Sequence, residues 1–249
     1  MRFLYSPALW TGHPELVSGA VHVTGITADA DPGALAAAVA RHTAVARTRL
    51  RDGTEGEFPE IQAWRRAFTR MGVKPTQYRN AAEALLRRYR KEGSLPSVHP
   101  LVDLCNAVSV AYAIPVGVFD LGCVTGPLEV RHAVGDEVFL SFSGRTEHPD
   151  PGEVIFADGS GRAHARRWTH RQSGHSVVRD TTASALIVAE ALHDSAPADV
   201  GKLIATMTAE LAGLWPVTPT TVILTPSGGP ADLPDPAARP APRTARGTG

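Results

Sequence analysis

The sequence predicts an α/β (α+β) fold in which a mainly antiparallel sheet is flanked by helices. Three features lead there: a helical apolar stripe near the middle of the chain, period-two runs around a DGSG turn, and a length of 249 residues, enough for one substantial core. In chain order, AVHVTGI at 20–26 is expected to be a strand. The alanine-rich segment 33–50 is expected to be a helix, and EIQAWRRAFTRMG at 60–72 a second one closed by Gly72. Asn80 is placed to cap the next helix, with Glu83 completing a reciprocal capping pair and Leu85, Leu86 and Tyr89 forming the packed side. EGSLPSVHP at 92–100 breaks that helix. Leu101, Leu104, Cys105, Val108 and Tyr112 then return at helical spacing and leave Asp103 and Asn106 on another face.

IPVGVFD at 114–120 reads as a short strand ending in an aspartate. Val138, Leu140 and Phe142 alternate, as do Val154 and Phe156, and DGSG at 158–161 joins the latter strand to AHARRW. In a regular strand, Arg166 and Trp168 would face away from Arg167. Ala185, Leu186, Ala189 and Leu192 follow a helical spacing, with Asp180 or Thr181 at its start. Leu203, Met207, Leu211 and Leu214 form the stripe of a last helix over 199–214, read as core rather than a partner groove, and VILTP at 222–226 finishes the sheet. One domain over 1–226 is expected, followed by a Pro-, Gly- and Ala-rich tail at 227–249 that has little apolar surface to bury and is expected to be disordered.

Composition narrows the chemistry. Lys plus Arg and Asp plus Glu both number 25, which argues against a uniformly basic surface but leaves room for local basic patches. The two cysteines, Cys105 and Cys123, are too few for a thiolate zinc site and read as buried thiols in a reducing compartment. The start MRFLYSPALW does not resemble a secretory signal, and no segment has the about 18 consecutive apolar residues of a membrane span, so a cytoplasmic protein is expected. GxGxxG, P-loop, HExxH and GxSxG patterns are all missing, and no cofactor is expected. His164, His170 and His175 lie close in sequence but read better as hydrogen-bonding or surface residues than as metal ligands, so no metal is expected either. Asp120, Glu153 and Asp158 stand at strand ends, where a carboxylate holds an ammonium, orients water or accepts turn amides. Arg166, Arg167 and Arg171 bind phosphate or pair with those acids.

KPTQYRNAAEALLRR, LPSVHPLVDLCNAVSVAYAIPVGVFDL, GEVIFADGSGRAHARRWTHR and RDTTASALIVAEAL, in this order across Lys74 to Asp194, resemble the B3/B4 domain of the bacterial phenylalanyl-tRNA synthetase beta subunit and its free-standing relatives. HPLVDLCNAVSVAYAIPVGVFD follows the family pattern with His99 in place of the usual asparagine. Trp168 and Arg171 match a W-N-W-R-like element whose second aromatic is missing here, a departure that bears on which amino acid is accepted.

The resemblance implies a B3/B4-like fold and a trans-acting aminoacyl-tRNA deacylase, a hydrolase that frees the amino acid from misacylated tRNA. On that reading Glu153, Asp120 and Asn106 are catalytic candidates, with Glu153 foremost for orienting water or the substrate ammonium. Ser143, Gly144, Asp158, Trp168 and His170 are candidates for the amino-acid pocket. Arg79, Arg87, Arg88, Arg166, Arg167 and Arg171 are candidates for tRNA phosphate contact. The tRNA is then the partner and the free amino acid the product. A noncatalytic tRNA or aminoacyl-tRNA binding module is the main alternative, and a small-molecule hydrolase or metabolite-binding protein the next.

Overall fold

The computed structural model describes residues 1–234. Its elements are β1 (Arg2–Tyr5), α1 (Pro7–Gly12), β2 (Val17–Thr24), α2 (Pro32–Arg49), α3 (Pro59–Arg70), α4 (Ala81–Glu92), α5 (Pro100–Tyr112), β3 (Val116–Asp120), β4 (Leu128–His132), β5 (Val138–Leu140), β6 (Thr146–Glu147), β7 (Val154–Asp158), β8 (Arg162–Arg166), β9 (Arg171–Gln172), β10 (Ser184–Ala191), α6 (Ala196–Leu214), β11 (Thr220–Leu224) and β12 (Ala231–Asp232). The fold is α+β and mainly antiparallel, as expected, but the strands form two sheets rather than one. A four-stranded antiparallel sheet runs β11-β2-β10-β3. An eight-stranded mixed sheet runs β12-β1-β4-β7-β8-β5-β6, with β9 on β8 and parallel pairings at β1–β4 and β5–β8.

The inner strands β2 and β10 of the four-stranded sheet are buried on both faces, whereas its edge strand β11 is mostly exposed. Val17, Val21 and Val23 of β2 and Ala185, Ile187 and Ala189 of β10 pack against Leu104, Val108, Leu203, Met207 and Leu211 of α5 and α6. The alternate residues, Ala20, Leu186, Val188 and Phe119, face the second sheet and α3, meeting Phe3, Phe156, Trp64 and Trp168. Gly19 lets α6 lie close on β2, because a Cβ there would collide with Ile204 and Val200.

That two-sided burial overturns one expectation. Residues 184–191 are a strand, not a helix, pairing along their whole length with β2 and with β3 over Ala185–Ala189. A strand covered on both faces shows no alternation, so Ala185, Leu186, Ala189 and Leu192 at coincidental helical spacing misread as helix. The β5 expectation is also out of phase. Phe139 is its fully buried residue, whereas Val138 and Leu140 are half-buried and Phe142, beyond the strand, is 71% exposed. In the segment expected to be structureless, Ala231 and Asp232 pair with β1; the remainder of that segment, 235–249, lies outside the described residues.

Local signals elsewhere hold. Asn80 caps α4 by accepting from the Glu83 amide (2.9 Å), but the Glu83 carboxylate turns to Arg65 and Arg79 instead of closing the reciprocal pair. His99 caps α5 through Nδ1, which accepts from the Leu101 amide (3.2 Å) as an asparagine oxygen would. The expected alternation across Arg166, Arg167 and Trp168 fails because the strand ends at Arg166 and the next two residues take left-handed φ values of 46° and 57°.

Ile187 is fully buried at the centre of β10. Ile187→Ala is expected to destabilise the protein by about 3 kcal/mol, read as a lower urea midpoint with an unchanged slope.

Candidate functional site

A small cavity of ≈ 70 Å³ opens where the two sheets face each other. Pro115, Val116, Gly117 and Phe119 from β3 and its approach form one wall. Phe156 and Ala165 of β7 and β8, with the loop Trp168–Gln172, form the other, and Ala81 at the start of α4 joins them. Phe119 and Phe156 stack across the gap with ring centroids 5.1 Å apart. Gly117 keeps the space open, since a Cβ would press on the Phe119 ring.

Glu190 is the acidic group of this lining and is 2% exposed. The strand period that sends Leu186 and Val188 toward the second sheet sends Glu190 there too. Its Oε1 accepts from the Tyr5 hydroxyl (2.6 Å) and from Trp168 Nε1 (2.7 Å), and its backbone carbonyl accepts from Trp64 Nε1 (3.2 Å). Oε2 accepts no hydrogen bond among the described residues. Burial pushes the Glu190 carboxyl up to about 7, against the opposing pull of the Tyr5 and Trp168 donors. Tyr5 is itself driven above the usual phenol range by burial and by Glu190, so it stays protonated and donates.

Trp168 reaches Glu190 from a strained turn. Two successive non-glycine residues with positive φ are costly, of order 1–3 kcal/mol each, and persist where neighbours over-determine them. Here the Trp168 amide donates to the Val154 carbonyl (2.7 Å), the Arg167 amide donates to Glu153 Oε1 (2.9 Å), and the indole is fully buried edge-on to Trp64 and His13. The loop that follows is stitched to α4: the Ala81 amide donates to the Thr169 carbonyl (2.9 Å) and His170 Nδ1 lies 2.7 Å from the Arg79 carbonyl. A carbonyl only accepts, so Nδ1 carries the hydrogen and Nε2 the lone pair. Burial holds His170 below the ordinary histidine value, which keeps the ring neutral at pH 7. In the same seam, Thr169 Oγ1 and Asn80 Nδ2 are buried without a hydrogen-bonding partner among the described residues.

Of the residues singled out from sequence, Trp168, His170 and Arg171 line this cavity. The others serve elsewhere. Glu153, the foremost catalytic candidate, is taken by Arg166 in a two-pronged pair (2.9 and 2.8 Å) and by the Arg167 amide, and these partners hold its carboxyl below the usual range despite burial. Asp120 accepts from the Thr182 hydroxyl (2.7 Å) and the Gly122 amide (2.9 Å), fixing the end of β3. Asn106 is half-buried on α5, away from the lining. Ser143 and Gly144 form an exposed turn after β5. Asp158 organises the DGSG turn, accepting from the amides of Ser160, Arg162 and Thr125 and pairing with His164 (3.1 Å). These donors bring it down to about 2 against the cost of burial.

The arginines divide as well. Arg166 is buried between Glu153 and Glu147 and is not open to phosphate. Arg167 lies over the Tyr78 ring (4.5 Å), and its guanidinium comes within 4.0 Å of the same Glu153, so Arg166 and Arg167 share a partner instead of facing apart. Arg171 pairs with Glu147 (3.1 Å) at the cavity rim. Arg79, Arg87 and Arg88 lie in and before α4. His164 and His175 approach to 6.3 Å between centroids while His170 sits against Tyr78, so the three histidines do not converge. Glu190, Tyr5 and Thr169 were missed, Glu190 because its strand imitates a helix; a lone acid in an otherwise apolar run was the available signal.

Glu190 makes stability fall as pH rises. Its folded value lies above the ordinary 4.5, so between pH 4.5 and 7 the unfolded chain ionises while the buried group does not. Glu190→Gln keeps an oxygen for Tyr5 and Trp168 and removes that loss. The variant is expected to exceed the wild type by about 3 kcal/mol above pH 7, with the gap closing as pH falls to 4.5, measured by urea unfolding across that range.

A family model described as the B3/4 domain matches residues 63–209, more than half of the chain and somewhat beyond the span of the motifs. The phenylalanine–tRNA ligase beta subunit of Cereibacter sphaeroides is 34% identical over 74 residues, covering 30% of this chain and 9% of that protein. The corresponding subunit of Bradyrhizobium diazoefficiens is 38% identical over 79 residues, covering 32% and 10%. An N-terminal fragment of the phenylalanyl-tRNA synthetase beta subunit from Pyrococcus horikoshii superposes over 87% of this chain and 49% of its own, with a TM-score of 0.46 and 10% identity. The matched region is thus about a tenth of the length of these curated relatives. On the family match, the chain belongs to the B3/4 domain family.

Proposed function

We propose that this protein hydrolyses the ester bond of misacylated tRNA, acting on tRNA charged by another enzyme and releasing free amino acid. The observation that carries this reading is the unengaged Oε2 of Glu190 inside an apolar cavity whose rim holds a neutral histidine and an unpartnered threonine hydroxyl. Family membership and sequence similarity to a tRNA ligase subunit support it.

The side chain of the attached amino acid enters alongside the stacked Phe119 and Phe156 rings and Trp168, and the ionised form of Glu190 accepts a hydrogen through Oε2 from a donor at its end. A purely apolar side chain of the same shape leaves that carboxylate oxygen buried and unpaired, which makes the cavity discriminate by hydrogen bonding as well as size. The ester lies at the rim. Water held by His170 Nε2 adds to the ester carbonyl carbon and gives its proton to the imidazole. The bond between that carbon and the ribose oxygen then breaks, and the leaving ribose oxygen takes the proton. Thr169 Oγ1 donates to the carbonyl oxygen as negative charge develops there.

Purified protein assayed against a panel of separately charged, misacylated tRNAs is expected to accelerate release of amino acids that carry a side-chain donor. His170→Ala is expected to lower kcat by about 100-fold, and the wild-type kcat to rise with pH through a value below the ordinary 6.5. Glu190→Gln is expected to lose the preference among side chains. No accelerated release across the panel overturns the hydrolase reading, and retained tRNA affinity in that case marks a binding module.

A further inference from the structure

The equal totals of basic and acidic side chains conceal a segregation. Residues 59–92, comprising α3, α4 and the linker between them, hold nine Lys and Arg against three Glu, a net +6 that the rest of the chain offsets with −6. The apolar residues of these helices, Ile61, Trp64, Phe68, Leu86 and Tyr89, point inward. The exposed residues of the two helices are Arg66, Arg70, Arg87, Arg88, Arg90 and Lys91 together with Pro59, Thr69, Ala84 and Glu92, and of these cations Arg70 pairs with Glu15 and Arg88 with Glu92.

Two buried carboxylates lie beneath that surface and fix it. Glu83 pairs with Arg65 (2.6 Å) and Arg79 (3.4 Å), and Glu55 pairs with Arg90 (2.7 Å) and more loosely with Arg87 (3.9 Å). Each acid is shared by two guanidinium groups, so each cluster keeps a net positive charge while its forks are held in place. Arg66, Lys74 and Lys91 are exposed with no acidic partner among the described residues. The surface begins at the cavity: Ala81 lines it and the Arg79 carbonyl accepts from His170. Along the α4 axis, Arg87 stands about 9 Å and Lys91 about 15 Å beyond Ala81.

We infer that the outer face of α3 and α4 is the docking surface for the phosphate backbone of tRNA, leading its charged 3′ end into the cavity. The choice of polynucleotide rests on the deacylase reading above; the charge and its geometry do not. An acidic protein is the weaker fit. Protein interfaces are built around apolar and aromatic anchors, and none of the exposed large hydrophobic residues, Val45, Val98, Val134, Phe142 and Ile223, lies on this face. Preorganised guanidinium forks without an apolar centre suit phosphate oxygens.

The test is binding of uncharged tRNA to the full chain at several salt concentrations, followed by fluorescence anisotropy. Arg66→Gln combined with Arg87→Gln leaves both buried carboxylates paired, and is expected to weaken binding by about 10-fold and to make the log–log salt slope shallower by about 1.5. Lys74→Gln with Lys91→Gln, which touches no carboxylate, is expected to act in the same direction. Arg2→Gln with Arg41→Gln removes equal charge elsewhere and is expected to bind as the wild type does. An unchanged slope in both α3–α4 variants, or an equal loss in the charge-matched control, overturns the surface. Equal affinity for polyglutamate at matched salt overturns a polynucleotide as its partner. Binding is read without turnover, so a protein that holds tRNA by this face yet releases no amino acid sinks the hydrolase reading alone.

Discussion

The hydrogen bonds that Tyr5 and Trp168 donate to Glu190 hold together more of this molecule than their size suggests. They join β1, the loop after β8 and β10, three segments far apart in sequence, at a carboxylate buried between two sheets. A lone buried acid is expensive unless donors surround it, so the surrounding chain is shaped to supply them. Reaching Glu190 requires the left-handed turn at Arg167 and Trp168, and that turn directs Thr169, His170 and Arg171 along the cavity. The same loop then anchors the start of α4 through the Thr169 carbonyl and His170. Cavity shape, histidine tautomer and helix position all descend from one carboxylate.

What separates Glu190 from the other buried acids is its missing donor. Asp158 and Glu153 have their oxygens filled by turn amides or guanidinium groups, and each titrates below its usual range. Such saturated carboxylates are scaffold: one shapes the DGSG turn, the other pins the strained loop. Glu190 titrates above its range because burial outweighs two donors on a single oxygen. An acid held at a cost to stability, in a cavity, is what makes Glu190 the candidate binding group of the proposed function.

The fold was legible wherever local physics governs. The helix cap at Asn80, the DGSG hairpin and the stripe of α6 were all readable because each is settled within a turn or two of chain. The β10 strand was not, since burial on both faces erases the alternation that identifies a strand, and the same erasure hid Glu190. Charged residues were misassigned for a related reason. Sequence places Glu153 and Arg166 near one hairpin but does not say whether they meet each other or a ligand, and two oppositely charged groups on adjacent strands satisfy each other first. Trp168 and Arg171 were found through the family motif and not through periodicity, because the backbone there follows no period.

The cavity and the basic face divide recognition between them. Electrostatic attachment to phosphates is strong, salt-dependent and indifferent to which amino acid a tRNA carries, so it cannot supply discrimination. A small cavity ending in one unengaged carboxylate oxygen discriminates sharply but offers too little surface for high affinity on its own. Under the proposed function, separating the two would let every charged tRNA be sampled briefly while only a matching side chain reached the chemistry. On that proposal the overall neutrality of the chain serves the same end: segment 59–92 carries +6, offset in part on the face itself where Glu55 and Glu15 pair with Arg90 and Arg70, and the rest of the compensating charge lies elsewhere. In the proposed reaction, orientation would then be set before the amino acid arrived at the rim.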